Sequence, residues 1–423
     1  MPMSATVRRF IMKRAAVWVL IAAFALFAPS AAPARGEGEV RLSFVRIGND
    51  APEKEYWEWV IADFEAANPG IYVQYDDAAI GEPIETKLNT LFASGAGPDI
   101  IGHGILSVAA RVELGHYQAI DAYFEAWEGR DDIMPSVLQN GVYGGRVYGL
   151  AYSVTPYVFA YRTDYFEQAG LDPASPPKTW EELAEFAREL TVVENGEIAR
   201  SGFCFPMTGG NLVEFDVFVF GNGGRFMDAD GNPTLDGGEK LEALEFLSEL
   251  LPDVNLPYSN NETNPFVKGL AAMTLMNNVA LTSMLNDPEY EGLVNIALPP
   301  DNGHPASFCG CNMLFIGRDC KNNDEAFAFI GHALSKDALL ERTRQTKIPV
   351  TRLSLVEQFQ AIDPMNAARS LCVEYGVGMP RATWATQFQR VRNELVQSAL
   401  FGGADIGEAL SKAQSDLLFE IDG

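Results

Sequence analysis

Apolar positions along the chain change period repeatedly, and each change predicts an element. In EVRLSFVRIGND (39–50), Val40, Leu42, Phe44, Val45 and Ile47 form a largely apolar run that breaks at Gly48-Asn49-Asp50. That pattern predicts a buried strand running into a polar loop. Trp57, Val60, Ile61 and Phe64 then recur at helical spacing until Asn68-Pro69-Gly70 stops them. IYVQY (71–75) is the next strand, 87–93 a helix ending at Ser94-Gly95, and GPDIIG (97–102) a third strand. This order implies a sheet with helices on its faces. Ligands of such sheets sit beyond the carboxyl ends of the strands, and those ends carry Asn49, Asp50 and His103.

A second α/β unit spans roughly 155–310. In TWEELAEFARELT (179–191), Trp180, Leu183, Phe186, Ala187 and Leu190 share one helix face behind Thr179, a good N-cap. GFCFP (202–206) is a short strand, VEFDVFVFGNGGRF (213–226) is apolar up to a glycine-rich loop, 228–236 is a turn, and 239–251 is an amphipathic helix. CNMLFIG (311–317), a helix in 324–335 and two or three further helices complete the chain. No flexible linker separates the units, so ordered segments must join them, and 147–160 is the first crossing. Around it, VYGLAYSVTPYVFAYRTDYF (147–166) sets seven aromatic rings among Ser153, Thr155 and Pro156. A core strand has no need of that proline, and the stretch offers no nucleophile, base or metal ligand.

The N-terminus changes the compartment. Arg8, Arg9, Lys13 and Arg14 precede a charge-free apolar run of 14 residues (15–28), and Ala32-Pro33-Ala34 supplies a cleavage pattern. Residues 1–34 therefore read as a cleaved signal peptide. The run falls short of the roughly 20 residues that span a bilayer, and the product is expected in the periplasm. Removing four of the 31 basic residues and none of the 57 acids leaves 27 − 57 = −30. Such a balance argues against nucleic-acid binding, which demands basic patches, and suits a freely dissolved monomer. Five cysteines, an odd count, leave at least one thiol over. Cys309-Gly310-Cys311 is too tight for an easy bridge and lacks zinc spacing. Four scattered histidines show no ligand spacing, and Pro233 stands where a calcium loop at Asp228 requires glycine. No motif for a catalytic elbow, phosphate loop or dinucleotide is present. No metal or cofactor is expected.

In its order of segments the chain resembles the bacterial extracellular solute-binding proteins of family 1, the carbohydrate-uptake class that includes maltose-binding protein. The resemblance rests on FEAANPGIYV (64–73), KLNTLFASGAGPDII (87–101), GGRVYGLAYSVTPYVFAYRTDYFEQAGLDP (144–173), PKTWEELAEFARELT (177–191), NGGRFMDADGNPTLD (222–236), GLAAMTLMNN (269–278) and NNDEAFAFIGHAL (322–334). It runs from about residue 40 to the end. What it implies is the α/β, two-lobed periplasmic binding protein fold of type II, with a ligand cleft between lobes joined by hinge strands. Lobe one would be 35–153 plus 312–365, and lobe two 156–309 plus 366–423. Ser153 to Pro156 and Phe308 to Asn312 would be hinges, with Tyr152 and Tyr157 projecting into the cleft.

Carried across by position, the ligand-binding residues would be Asn49, Asp50, His103, Tyr152, Tyr157, Asn222, Arg225, Asn277, Asn278, Asn312 and Arg381. His103 reads equally as a ligand contact or as packing. Arg225 and Arg381 fit an anionic group or simple pairing with the abundant acids. Where the family often carries Trp after AMT, this chain has Asn277-Asn278-Val279, which points to less stacking surface and a smaller or more polar ligand. The function implied is binding rather than catalysis: a sugar or polyol held by hydrogen bonds and handed to the membrane permease of an ABC transporter. Two rival readings differ only at the cleft or in turnover: a binder of a phosphorylated polyol or nitrogenous osmolyte, and a secreted glycan-acting enzyme.

Overall fold

The computed structural model describes residues 39–48 and 51–422; the expected signal segment and the loop residues Asn49 and Asp50 lie outside the described residues. The first elements follow the pattern. β1 (Val40–Ile47) is a strand, and α1 (Ala51–Ala67) buries Tyr56, Trp57, Val60, Ile61 and Phe64. β2 (Ile71–Ala78) comes next. α2 (Glu82–Ala93) begins before the apolar periodicity does, because Gly81 turns the chain at φ 92° and Pro83 presets the first turn. β3 (Ile100–Gly104) follows, and α3 (Val108–Glu113) lies just beyond it.

The crossing segment is one strand, β4 (Gly149–Arg162), 14 residues long and largely buried. After it come α4 (Trp180–Leu190), β5 (Val192–Glu194) and β6 (Glu197–Cys204). The run VEFDVFVFG, whose type was open, is a helix, α5 (Val213–Gly221), with all nine residues buried. A helix buried all round shows no amphipathic period. α6 (Gly238–Val254), β7 (Ala271–Asn277), α7 (Asn278–Leu285), β8 (Val294–Ala297) and β9 (Ser307–Ile316) complete the middle.

The C-terminal part holds more helices than expected. After α8 (Asn323–Ala333) come five rather than two or three: α9 (Lys336–Thr346), α10 (Val356–Ile362), α11 (Asn366–Glu374), α12 (Ala385–Leu400) and α13 (Ile406–Asp422). α10 and α11 span only seven and nine residues, too short for periodicity to separate them. Between α11 and α12 lies β10 (Gly376–Val377).

Among the described residues, ten strands form one mixed sheet in the order β2-β1-β3-β9-β4-β7-β6-β5, with β8 pairing to β4 and β10 to β9. β1 and β3 are parallel, β3 and β9 antiparallel. β4 and β9 pair antiparallel from Gly149↔Phe315 to Pro156↔Cys309, and β4 continues to pair with β7 and β8. The two crossing strands thus lie side by side at the centre, with Thr155 opposite Gly310 and Val154 opposite Cys311. All five cysteines are buried and unbonded.

Each half of the sheet has its own core. In the first, Phe44 meets Trp57 edge to face at 4.9 Å, and Phe329 packs tilted against both rings with centroids 5.5 and 6.3 Å away. In the second, Val158, Phe266, Met276, Leu281, Ile296 and Cys372 pack together. α4 is set by a capping box: Thr179 Oγ1 accepts from the Glu182 amide at 3.2 Å, and Glu182 Oε2 accepts from the Thr179 amide at 3.3 Å. Thr179→Ala removes this and should cost about 1 kcal/mol, read as a lower urea midpoint with an unchanged m-value.

Candidate functional site

The carboxyl ends of β1 and β3, α2 and α3 make one wall of a cavity of about 540 Å³, at Ile47, Ile84, Glu85, His103 and Arg111. Its floor is Thr155 with Gly310, Cys311 and Asn312, from the two crossing strands. The far wall carries Asn211, Phe308, Met379 and Gln389. His103 is buried, its Nδ1 against Ser107 Oγ, and its Nε2 lies 3.0 Å from Glu85 Oε1, off the line of a hydrogen bond. Glu85 Oε2 also meets Arg111, which donates to Asn89 Oδ1 at 2.8 Å. Burial works to raise the Glu85 carboxyl, but the His103 contact and the Arg111 guanidinium outweigh it and hold the value at about 2. The carboxylate, 43% exposed, stays ionised on the cleft wall.

A second cavity of about 720 Å³ adjoins at Asn211, which lines both, and is walled by Tyr157, Glu214, Tyr258, Asn264 and Asn277. Tyr157 is half-buried, edge-on to Phe308 at 5.6 Å. Burial and the nearby Glu214 push its hydroxyl well above the usual value, against the lowering effect of its hydrogen bond with Asn277. Asn277 also caps α7, its Oδ1 accepting from the Ala280 amide at 2.8 Å. A third cavity, about 310 Å³, brings together Arg225, Asp228 and Arg381 and shares Met379 with the first. Burial depresses both guanidinium pKa values. Arg381 donates to the Gln139 carbonyl, and Arg225 to that of Gly224 at 2.6 Å.

His103, Asn312, Tyr157, Asn277, Arg225 and Arg381 therefore line these three cavities, which share Asn211 and Met379 as lining residues. Three expected residues do not. Tyr152 is only 1% exposed, edge-on to Trp57 at 4.9 Å and beneath the Arg342 guanidinium at 5.3 Å. Pairing skips it: Ser153 faces Asn312 and Ala151 faces Met313. That bulge re-aims the ring into the first core instead of the cleft. Asn222 is buried, holding Glu242 Oε2 at 2.7 Å and accepting from Asn302 at 2.8 Å. Asn278 is fully buried, donating to the Lys347 carbonyl and accepting from Arg369 at 2.7 Å. Asn49 and Asp50 lie outside the described residues.

The polar lining residues that sequence reasoning missed include Asn211, Glu214, Glu85 and Gln389. Glu214 had a signal, since an acid inside the apolar run VEFDVFVF must be buried or break the helix's packing. The arrangement offers amides, hydroxyls, rings and carboxylates on facing walls, suited to holding a polar solute.

Residues 49–339 match the bacterial extracellular solute-binding protein family. The mannitol-binding protein of Pseudomonas aeruginosa is 27% identical over 214 residues, covering 49% of this chain and 47% of its own. The chain spans less than two-thirds of the length of the curated relatives it matches. Among solved structures, the sugar-binding protein MalE from Xanthomonas citri superposes with a TM-score of 0.81 at 20% identity, covering 90% of this chain and 98% of that one. A solute-binding protein from Agrobacterium radiobacter K84 in complex with ribitol gives 0.71 at 25% identity, covering 89% and 98%. The type II, two-lobed periplasmic binding fold expected from the segment order is the fold found. With the matched region covering most of the chain and the cavities lying over its crossing strands, the chain belongs to the bacterial extracellular solute-binding protein family.

Proposed function

We propose that this chain is the substrate-binding component of an ABC importer, binding a sugar or polyol by closure of two lobes and delivering it to the membrane permease. The secreted form would be a periplasmic monomer freed of residues 1–34, a receptor and not an enzyme. Lobe one would comprise 35–153 plus 312–365, and lobe two 156–309 plus 366–423. The observation that carries this is the 540 Å³ cavity, lined at once by His103 and Glu85, by both crossing strands, and by Asn211 and Gln389. The packing of Cys372, Met365 and Ala368 with Val158 and Ile296 supports assigning α11 to lobe two. The ribitol- and mannitol-binding relatives favour a small polyhydroxylated solute.

Two stiff lobes on paired strands close by rotating at a few residues, here Ser153 to Pro156 against Phe308 to Asn312. A panel of sugars and polyols screened by thermal shift should raise the melting temperature for the true ligand. That same compound should reduce the radius of gyration in solution scattering while far-ultraviolet circular dichroism stays constant. A stabilising compound that leaves the scattering curve unchanged would sink the closure model. Product formed on incubation with glycans would favour an enzyme.

A further inference from the structure

Glu214, on α5, is 6% exposed, and its Oε2 has no hydrogen-bond partner among the described residues. It lines the 720 Å³ cavity, which also carries Glu262 and Asp287 and, among the described residues, no lysine or arginine. The Arg392 guanidinium, whose charge acts on Glu214, is already engaged: it donates to Asp216 Oδ2 at 2.5 Å and to Asn211 Oδ1 at 2.6 Å. Rings of Tyr157, Tyr258 and Tyr290 border the same space, and aromatic faces attract cations. A buried carboxylate oxygen left without a hydrogen bond is costly, and burial pushes Glu214 up to about 7 against the lowering effects of a backbone hydrogen bond and Arg392. A bound cation would supply the missing partner; a neutral hydroxyl would supply only part of it.

Resting on the reading of the cleft as a solute site, we propose that the Glu214 cavity is an amine-recognising subsite. The ligand would be a sugar or polyol bearing a protonated amino group, set against the Glu214 carboxylate and bordered by the tyrosine rings.

Calorimetric titration of the secreted protein at neutral pH with two matched pairs tests this: glucosamine against glucose, and glucamine against sorbitol. In at least one pair the amine should bind about tenfold tighter, as expected for exchanging a neutral for a charge-assisted hydrogen bond. Glu214→Gln should shrink that ratio to below about threefold, the loss of one charge-assisted contact. Equal affinities within both pairs would overturn the subsite while leaving the solute-binding reading intact. So would an amine preference that survives Glu214→Gln. No binding of any of the four compounds counts against both. The comparison within pairs on the unaltered protein stands even if the variant folds poorly.

Discussion

Replacing Arg392 with alanine should destabilise the protein by about 3–5 kcal/mol near pH 8, the usual consequence of leaving a buried charge without its partner. Arg392 and Asp216 are both fully buried and meet at 2.5 Å. The same guanidinium holds Asn211 Oδ1 at 2.6 Å and lies over the Phe388 ring. Truncation therefore strands a carboxylate and an amide oxygen between α5 and α12 and removes the stem that packs there.

The effect should depend on pH in a defined direction. Burial pushes the Asp216 carboxyl from the usual 3.8 up to about 6, against the lowering effect of Arg392. With the folded value raised, the native state binds more protons than the unfolded state between those values. The group's contribution is thus present below 3.8 and lost as pH rises through about 6. Removing Arg392 raises the folded value further and extends that loss to higher pH. Urea unfolding of Arg392→Ala should show a smaller deficit at about pH 5 than at about pH 8. A deficit that is flat with pH, or larger in acid, would mean that Asp216 is not the group left stranded.

This pair also shows what the sequence makes legible. Local signals were enough for β1, α1 and the Thr179 cap, because each rests on residues within about one or two turns of one another. Glu214 and Asp216 interrupt an apolar run visibly, yet nothing local says that Arg392, 176 residues away, answers Asp216. The nine residues of α5 are buried on every side, so neither a strand nor a helix period could emerge. The cleft floor is a pairing of Thr155 with Gly310, and the bulge that turns Tyr152 inward is a property of that pairing. Segment order could therefore indicate the fold and the crossing, but not which of two tyrosines on one strand lines a cavity. Asn222 and Asn278 fell outside for a related reason: each amide is satisfied by a partner far along the chain, Asn302 or Lys347.

Those two tyrosines should separate stability from binding. Tyr152 buries its ring between Trp57 and the Arg342 guanidinium, and its hydroxyl has no hydrogen-bond partner among the described residues. Tyr152→Ala should accordingly act through packing, lowering stability by about 3–5 kcal/mol, the range for truncating a large buried ring. The bulge fixes where that ring sits, so neighbours can collapse into the gap only in part. Tyr157, five positions on, is half-buried on the 720 Å³ cavity, with its ring edge-on to Phe308 and its hydroxyl near Asn277 and Glu214. There one flat face and one hydroxyl can meet the C–H groups and hydroxyls of a polyhydroxylated solute. Tyr157→Ala should weaken binding of the sugar or polyol identified by thermal shift by about 1–3 kcal/mol, roughly five- to 150-fold in Kd. Its urea midpoint should shift less than that of Tyr152→Ala. Calorimetric titration and urea unfolding of both variants give the comparison. If Tyr157→Ala keeps full affinity and unfolds as early as Tyr152→Ala, both rings belong to cores, and the solute must be held at the His103 and Asn312 end of the cleft instead.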